Sequence, residues 1–251
     1  MDPSLKPATN IRWTVIIVCH LAAALLYGSW YFNQEKVSNE HYSRILQYSD
    51  DAPIQLWEKL DYAAFETLNG SLKDSPAAQK FWALTNHRAF DLVQMGLVAL
   101  LYTVFVLRGN SREEKLKRVQ AGFYMAACII IGLQIFHFTL FFFNRFSPTM
   151  IPLEGAVRLS QMEGITWSVK DLSARSFPGD HSTFLFLIAI FVFYNAGWRY
   201  GSVALILAIL GVLPRLVGGA HWMTDVVVGG GVISLVVASW ALASSLQQKG
   251  L

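Results

Sequence analysis

Six apolar runs dominate this 251-residue chain: Ile11 to Phe32, Phe90 to Leu107, Val119 to Phe143, Ser182 to Trp198, Gly201 to Val217 and His221 to Ala243. A transmembrane α-helix needs about 20 mostly apolar residues, and in lipid only helices or closed barrels satisfy their own backbone groups. The runs therefore predict an all-α, polytopic integral membrane protein with six transmembrane helices. They leave little room for a separate soluble domain. The composition agrees, with 54% hydrophobic and only 15% charged residues, where soluble domains carry about 25% charged. A formal charge of +3 is too small for an electrostatic nucleic-acid binder. Cys19 and Cys128 both lie inside apolar runs, so neither a disulfide framework nor a zinc-ligand spacing is present.

One domain is expected, in two parts. Residues 1–89 form an N-terminal signal anchor and an interfacial segment, and residues 90–245 form the catalytic core. The first run follows Lys6 and Arg12, and no small-residue cleavage site closes it before Trp30, Tyr31 and Phe32, which reads as an uncleaved anchor. Beyond it, an amphipathic stretch around Trp57 to Leu68 and a turn-rich Asn69 to Pro76 suit one or two short interfacial helices. The dense basic cluster Arg108, Arg112, Lys115, Lys117 and Arg118, with Lys6, Arg12, Arg199 and Lys249, sets the orientation by the positive-inside rule. Both termini are then cytoplasmic, and residues 33–89 and the loop 144–180 face the other side.

Charged and imidazole side chains beside membrane spans are expensive, which makes them functional candidates by default. Four clusters fall on the outer face: Asn86 to Asp91, Asn144 to Pro148, Lys170 to His181, and Arg215 to Asp225. In the last, His221 and Asp225 share one helical face, and a carboxylate beside one imidazole nitrogen leaves the other free to attack. In Ser176-Phe-Pro-Gly-Asp-His181, Pro178 and Gly179 make a loop whose N–H groups can approach an anion, and His181 opens the next helix. Two histidines and several arginines around an anion suit phosphoryl transfer through a phosphohistidine, without metal or cofactor.

These residues resemble the membrane type 2 phosphatidic acid phosphatase (PAP2) superfamily. Its motif Arg-x5-His-x3-Asp is matched by Arg215, His221 and Asp225, with Pro214 where a Ser is usual. Its Pro-Ser-Gly-His is matched at Pro178 and His181, with Gly179 and Asp180 between them. Its Lys-x6-Arg-Pro is degenerate: Leu140 stands for the lysine, Ser147 for the arginine, and Pro148 is retained. The four segments Ala83–Asp91, Arg145–Thr149, Ser176–His181 and Pro214–Asp225 are together similar to the lipid A 1-diphosphate synthase branch of that superfamily.

The resemblance implies a helical core, no cofactor, and a phosphate moved from undecaprenyl diphosphate to the 1-phosphate of lipid A, at the periplasmic face of a bacterial inner membrane. By it, His221 is the nucleophile, Asp225 its orienting partner and His181 the acid. Arg215, Ser176 and the Pro178, Gly179 and Asp180 loop hold phosphate. Arg145 is the first choice to supply the missing motif charge, then Arg88, Lys170 and Arg175, with Ser147 beside the substrate. Asp180 either pairs with an arginine or lysine or touches the acceptor. His137 reads as a packing residue, Phe141 to Phe143 as an interface belt, and Gly229 to Gly231 as a close-packing or tail-accommodating stretch. Two rivals stay open: a hydrolase of undecaprenyl diphosphate or another lipid phosphate on the same scaffold, and a non-catalytic lipid-phosphate binder or transporter.

Overall fold

The computed structural model describes residues 13–32, 56–139, 145–151 and 153–243. The expected segment 1–12, Leu140, Phe141 to Phe143, Asn144 and the tail with Lys249 lie outside the described residues. Among the described residues the chain is helical, without strands: α1 (Trp13–Tyr31), α2 (Leu56–Gly70), α3 (Pro76–Thr85), α4 (Arg88–Leu107), α5 (Arg112–Thr139) and α6 (Asp180–Val217), then a π-helical turn (Asp225–Gly230) that runs into α7 (Gly231–Ala243). Five helices in this set are long and apolar enough to cross a membrane.

The short helices start where local chemistry dictates. Ser75 caps α3 by accepting the Ala78 N–H at 3.3 Å, with Pro76 at the first helical position, where its missing N–H costs nothing. His87 caps α4 by accepting the Ala89 N–H at 3.1 Å. The third apolar segment begins earlier than its hydropathy suggests. Arg112 to Arg118 are already helical, held by Glu113–Lys117 and Glu114–Arg118 pairs four residues apart.

Helix α6 is not one rod. Gly197 sits at φ 79°, ψ 178°, a conformation open to glycine alone, and the chain reverses there. A straight helix of this length would part its ends by about 55 Å. Yet His181 near its start and Arg215 near its end both reach the same Asp91 carboxylate, at 3.4 and 2.6 Å. The two limbs pack with α4, α5 and α7 around a core that includes Val98, Ile129, Leu187, Phe191, Val212 and Val237. Large apolar side chains such as Leu92, Phe123, Ile130, Ile206 and Trp198 are left exposed, as a lipid-facing surface requires. Buried charge collects at one end of the bundle. At the other, Arg108 donates to the Tyr200 hydroxyl at 3.1 Å.

The segment 145–179 crosses the polar end with two short 3-10 turns, Pro148–Met150 and Leu159–Gln161. Side-chain amides stitch it down. Asn69 donates to the Val157 and Val217 carbonyls at 3.0 and 2.9 Å and accepts the Val157 N–H at 2.7 Å. The Asn86 amide donates to the Pro214 carbonyl at 2.6 Å, next to the proline that interrupts the α6 ladder.

Candidate active site

A polar-walled cavity of about 340 Å³ opens at this end, lined by Lys170, Arg175, Pro178, Asp180, Arg215 and His221 among others. The turn between α6 and the π-helix builds its floor. The Arg215 carbonyl accepts the N–H groups of Ala220 and His221 at 2.9 and 3.3 Å, which locks the spacing from Arg215 to His221. The His221 ring donates from Nδ1 to the Ser176 carbonyl at 2.8 Å. Asp225 Oδ2 lies 3.7 Å from the same nitrogen, so the carbonyl holds the proton and the carboxylate adds its charge. In the neutral ring Nε2 then carries the lone pair. Burial works against a charge on this imidazole, but Asp225, then Asp180 and the Ser176 carbonyl, outweigh it and raise its pKa.

The Pro178 to Asp180 loop departs from the expected anion cradle. The Gly179 N–H donates to the Asp225 carbonyl at 2.9 Å, and the His181 N–H to the Asp180 carboxylate at 2.6 Å. The helix N-terminus is thus occupied by a carboxylate of its own chain. Asp180, with its side chain 57% exposed, faces His221 Nε2 at 3.8 Å rather than being held by an arginine or lysine. The loop seats tightly on the π-helix because Gly229 opposes it: a Cβ there would stand 2.6 Å from that of Pro178. Gly229 therefore serves loop docking, while Gly230, which opposes Ser182 and Thr183, serves the close packing expected of the stretch.

Arg215 lines the cavity with its guanidinium held from behind. It donates to Asn86 Oδ1 at 2.8 Å and to Asp91 at 2.6 Å, and Asp91 also receives Lys170 at 2.7 Å. His181 turns toward α4, where Nε2 meets Gln94 Oε1 at 3.1 Å and Asp91 at 3.4 Å. Both neighbours are acceptors, so this nitrogen holds a proton. Arg175 reaches the cavity rim, whereas Arg88 is exposed and outside the lining. His137 bonds its own helix at the Leu133 carbonyl, 2.7 Å away, and is an exposed rim residue rather than a packed one.

Arg145, expected at the phosphate, lies behind the cavity instead. It is 1% exposed, its Nη1 donates to Asp225 at 2.5 Å and to Thr224 Oγ1 at 2.7 Å, and its Nη2 donates to Asp61 at 2.6 Å. Two buried carboxylates claim the guanidinium. Ser147 and Ser176 are likewise structural in their contacts: Ser147 Oγ accepts the Ser173 N–H at 2.9 Å, and Ser176 Oγ donates to the Arg145 carbonyl at 3.1 Å. Sequence reasoning passed over Asp61. Its signal was present, because Glu58, Asp61, Phe65 and Asn69 share the buried stripe of α2, and an amphipathic helix has no cause to bury carboxylates there without a partner.

A family model described as the PAP2 superfamily matches residues 120–249. The chain is 30% identical over 202 residues to the lipid A 1-diphosphate synthase of Escherichia coli (strain K12), across 77% of this chain and 79% of that protein. No solved structure matches it. Asp61 and Asp91 both precede the segment matched by the family model.

Proposed function

We propose, since the chain belongs to the PAP2 superfamily, that it is a lipid phosphotransferase which moves a phosphate from undecaprenyl diphosphate to the 1-phosphate of lipid A. The observation that carries this reading is His221, with Nδ1 committed to the Ser176 carbonyl beside Asp225 and Nε2 turned to a cavity lined by Arg215, Lys170 and Arg175. Similarity to a lipid A 1-diphosphate synthase favours lipid A as acceptor.

In this mechanism Nε2 attacks the terminal phosphorus of the donor. The bond to the bridging oxygen breaks, its electron pair leaves with undecaprenyl phosphate, and His181, entering the step as an imidazolium beside Asp91, gives that oxygen a proton and is left a neutral imidazole. An oxygen of the lipid A 1-phosphate then attacks the phosphohistidine and frees the imidazole. Arg215 and the nearby lysine and arginine stabilise the transferring phosphoryl charge, so turnover is independent of divalent metal. We read the two limbs of α6 as separate crossings, which makes six in all. The cavity then faces the periplasm, and both termini, with the basic end around Arg108, lie in the cytoplasm of a bacterial inner membrane.

Labelled undecaprenyl diphosphate supplied with and without lipid A, in excess EDTA, tests the reading. Label in lipid A diphosphate is expected. Equal release to water in both arms makes the protein a hydrolase on the same scaffold. The His221→Ala variant is expected to lose at least ~10³-fold in turnover while retaining its fold, and full turnover in that variant removes the phosphohistidine.

A further inference from the structure

Asp61 never reaches the cavity, yet it is wired to the proposed nucleophile. Its Oδ2 accepts Arg145 Nη2 at 2.6 Å and the Thr224 hydroxyl at 2.6 Å, and its Oδ1 accepts the Thr224 N–H at 2.8 Å. Arg145 passes to Asp225 Oδ1 at 2.5 Å, and the other Asp225 oxygen faces His221 Nδ1 at 3.7 Å. Asp61 and Asp225 are both 0% exposed and Arg145 1%, so water screens none of the three. Burial, and then Asp225, raise the Asp61 pKa against the pull of Arg145 and Thr224. Each contact its oxygens make here is to a donor, which is the pattern of a carboxylate.

The charge count decides what such a cluster does. One guanidinium serving Asp225 alone would cancel the carboxylate field at the imidazole. Shared with a second carboxylate, it leaves one negative charge in the cluster. We propose that Asp61 is a positioning residue for the reaction read above: it shares Arg145 with Asp225, so that the guanidinium charge is balanced on both sides and Asp225 stays an effective anion beside His221, and through Thr224 it pins the turn that carries both. The idea rests on His221 as the nucleophile, and it assigns a role to α2, a helix the family match does not reach. The other groups facing His221 are Asp180 and the Ser176 carbonyl, with Lys170, Arg175, Arg215 and His137 around the cavity. None of these contacts Asp61 in the network above.

The test is the pH dependence of carbethoxylation at His221 by diethyl pyrocarbonate, read by mass spectrometry on the peptide that carries it, in the full-length protein in detergent. Asp61→Asn is expected to lower the midpoint by about half a unit or more, because it leaves Arg145 uncompensated near the ring. The Asp61→Asn/Arg145→Gln double variant is expected to bring the midpoint back toward wild type, which a merely structural residue would not do. An unshifted single variant, or a double variant that stays with the single, overturns the proposal. Where Asp61→Asn does not fold, Asp180→Asn carries the test, since it removes only the half-exposed carboxylate. A His221 midpoint above that of N-acetylhistidine in that variant supports the buried cluster, and one at or below it overturns the proposal. Turnover by His221→Ala bears on the reaction alone, because the titration of His221 reads the cluster whatever the reaction is.

Discussion

Two arginines at the same end of the bundle, Arg145 between two carboxylates and Arg215 against one, do different work. Arg145 is sealed between Asp61 and Asp225 with both terminal nitrogens spent. Arg215 is anchored by Asp91 and Asn86 yet lines the cavity, and Asp91 has a second cation in the part-exposed Lys170. The first network is closed off from the surface. The second is braced from behind and open in front. A buried ion cluster holds machinery in place, whereas a braced cation at a cavity wall can spend its charge on a ligand.

Removing one member of each network should separate them. Arg145→Ala leaves two carboxylates facing one another without a cation, and is expected to cost about 3–5 kcal/mol of stability, seen as lost folded yield and a lower unfolding midpoint in detergent. Arg215→Ala leaves Asp91 its lysine, so the fold is expected to survive better while phosphate transfer drops roughly 10²-fold. If both variants lose stability equally, the contrast between a closed and an open network is wrong. Lys170→Ala should cost only about threefold to tenfold in transfer, and raised salt should blunt the difference, since the side chain is part-exposed.

The smallest effect concerns pH and carries a definite sign. His221 has a raised pKa in the folded protein, so the stability it contributes is full below the unfolded value of about 6.5 and is lost as pH rises through the folded value. Attack requires the neutral ring, so transfer climbs across the same window. Paired melts of wild type and His221→Asn should therefore show a gap that closes as pH rises, while wild-type kcat/KM increases. A gap that widens with pH would reverse the assigned direction.

The helices were largely legible in the sequence because apolar runs of membrane length have few other uses, and the pairing of His221 with Asp225 was legible in their spacing, although His221 lies in the turn ahead of the π-helix that Asp225 opens rather than on a shared helical face. What escaped is non-local. Arg145 and Asp61 are partners across 84 residues, and no periodicity indicates which carboxylate a distant arginine will find. Arg145 therefore read as a phosphate ligand. The Gly179 loop read as an anion cradle because glycine permits approach, but its N–H had already been claimed by the Asp225 carbonyl. Residue type constrains what a group can bind, and the fold decides whether it is still free to do so.

The reversal at Gly197 turns α6 into a caliper. The limb before the glycine is about 25 Å long and the limb after it about 30 Å, and their far tips carry His181 and Arg215, which meet at Asp91. One residue added to either limb would advance its tip by ~1.5 Å and swing it by ~100°, well beyond the tolerance of a hydrogen bond. The opening of the cavity is thus gauged by residue counting in the apolar interior, and a length change at the distant Gly197 bend would be felt first at Asp91.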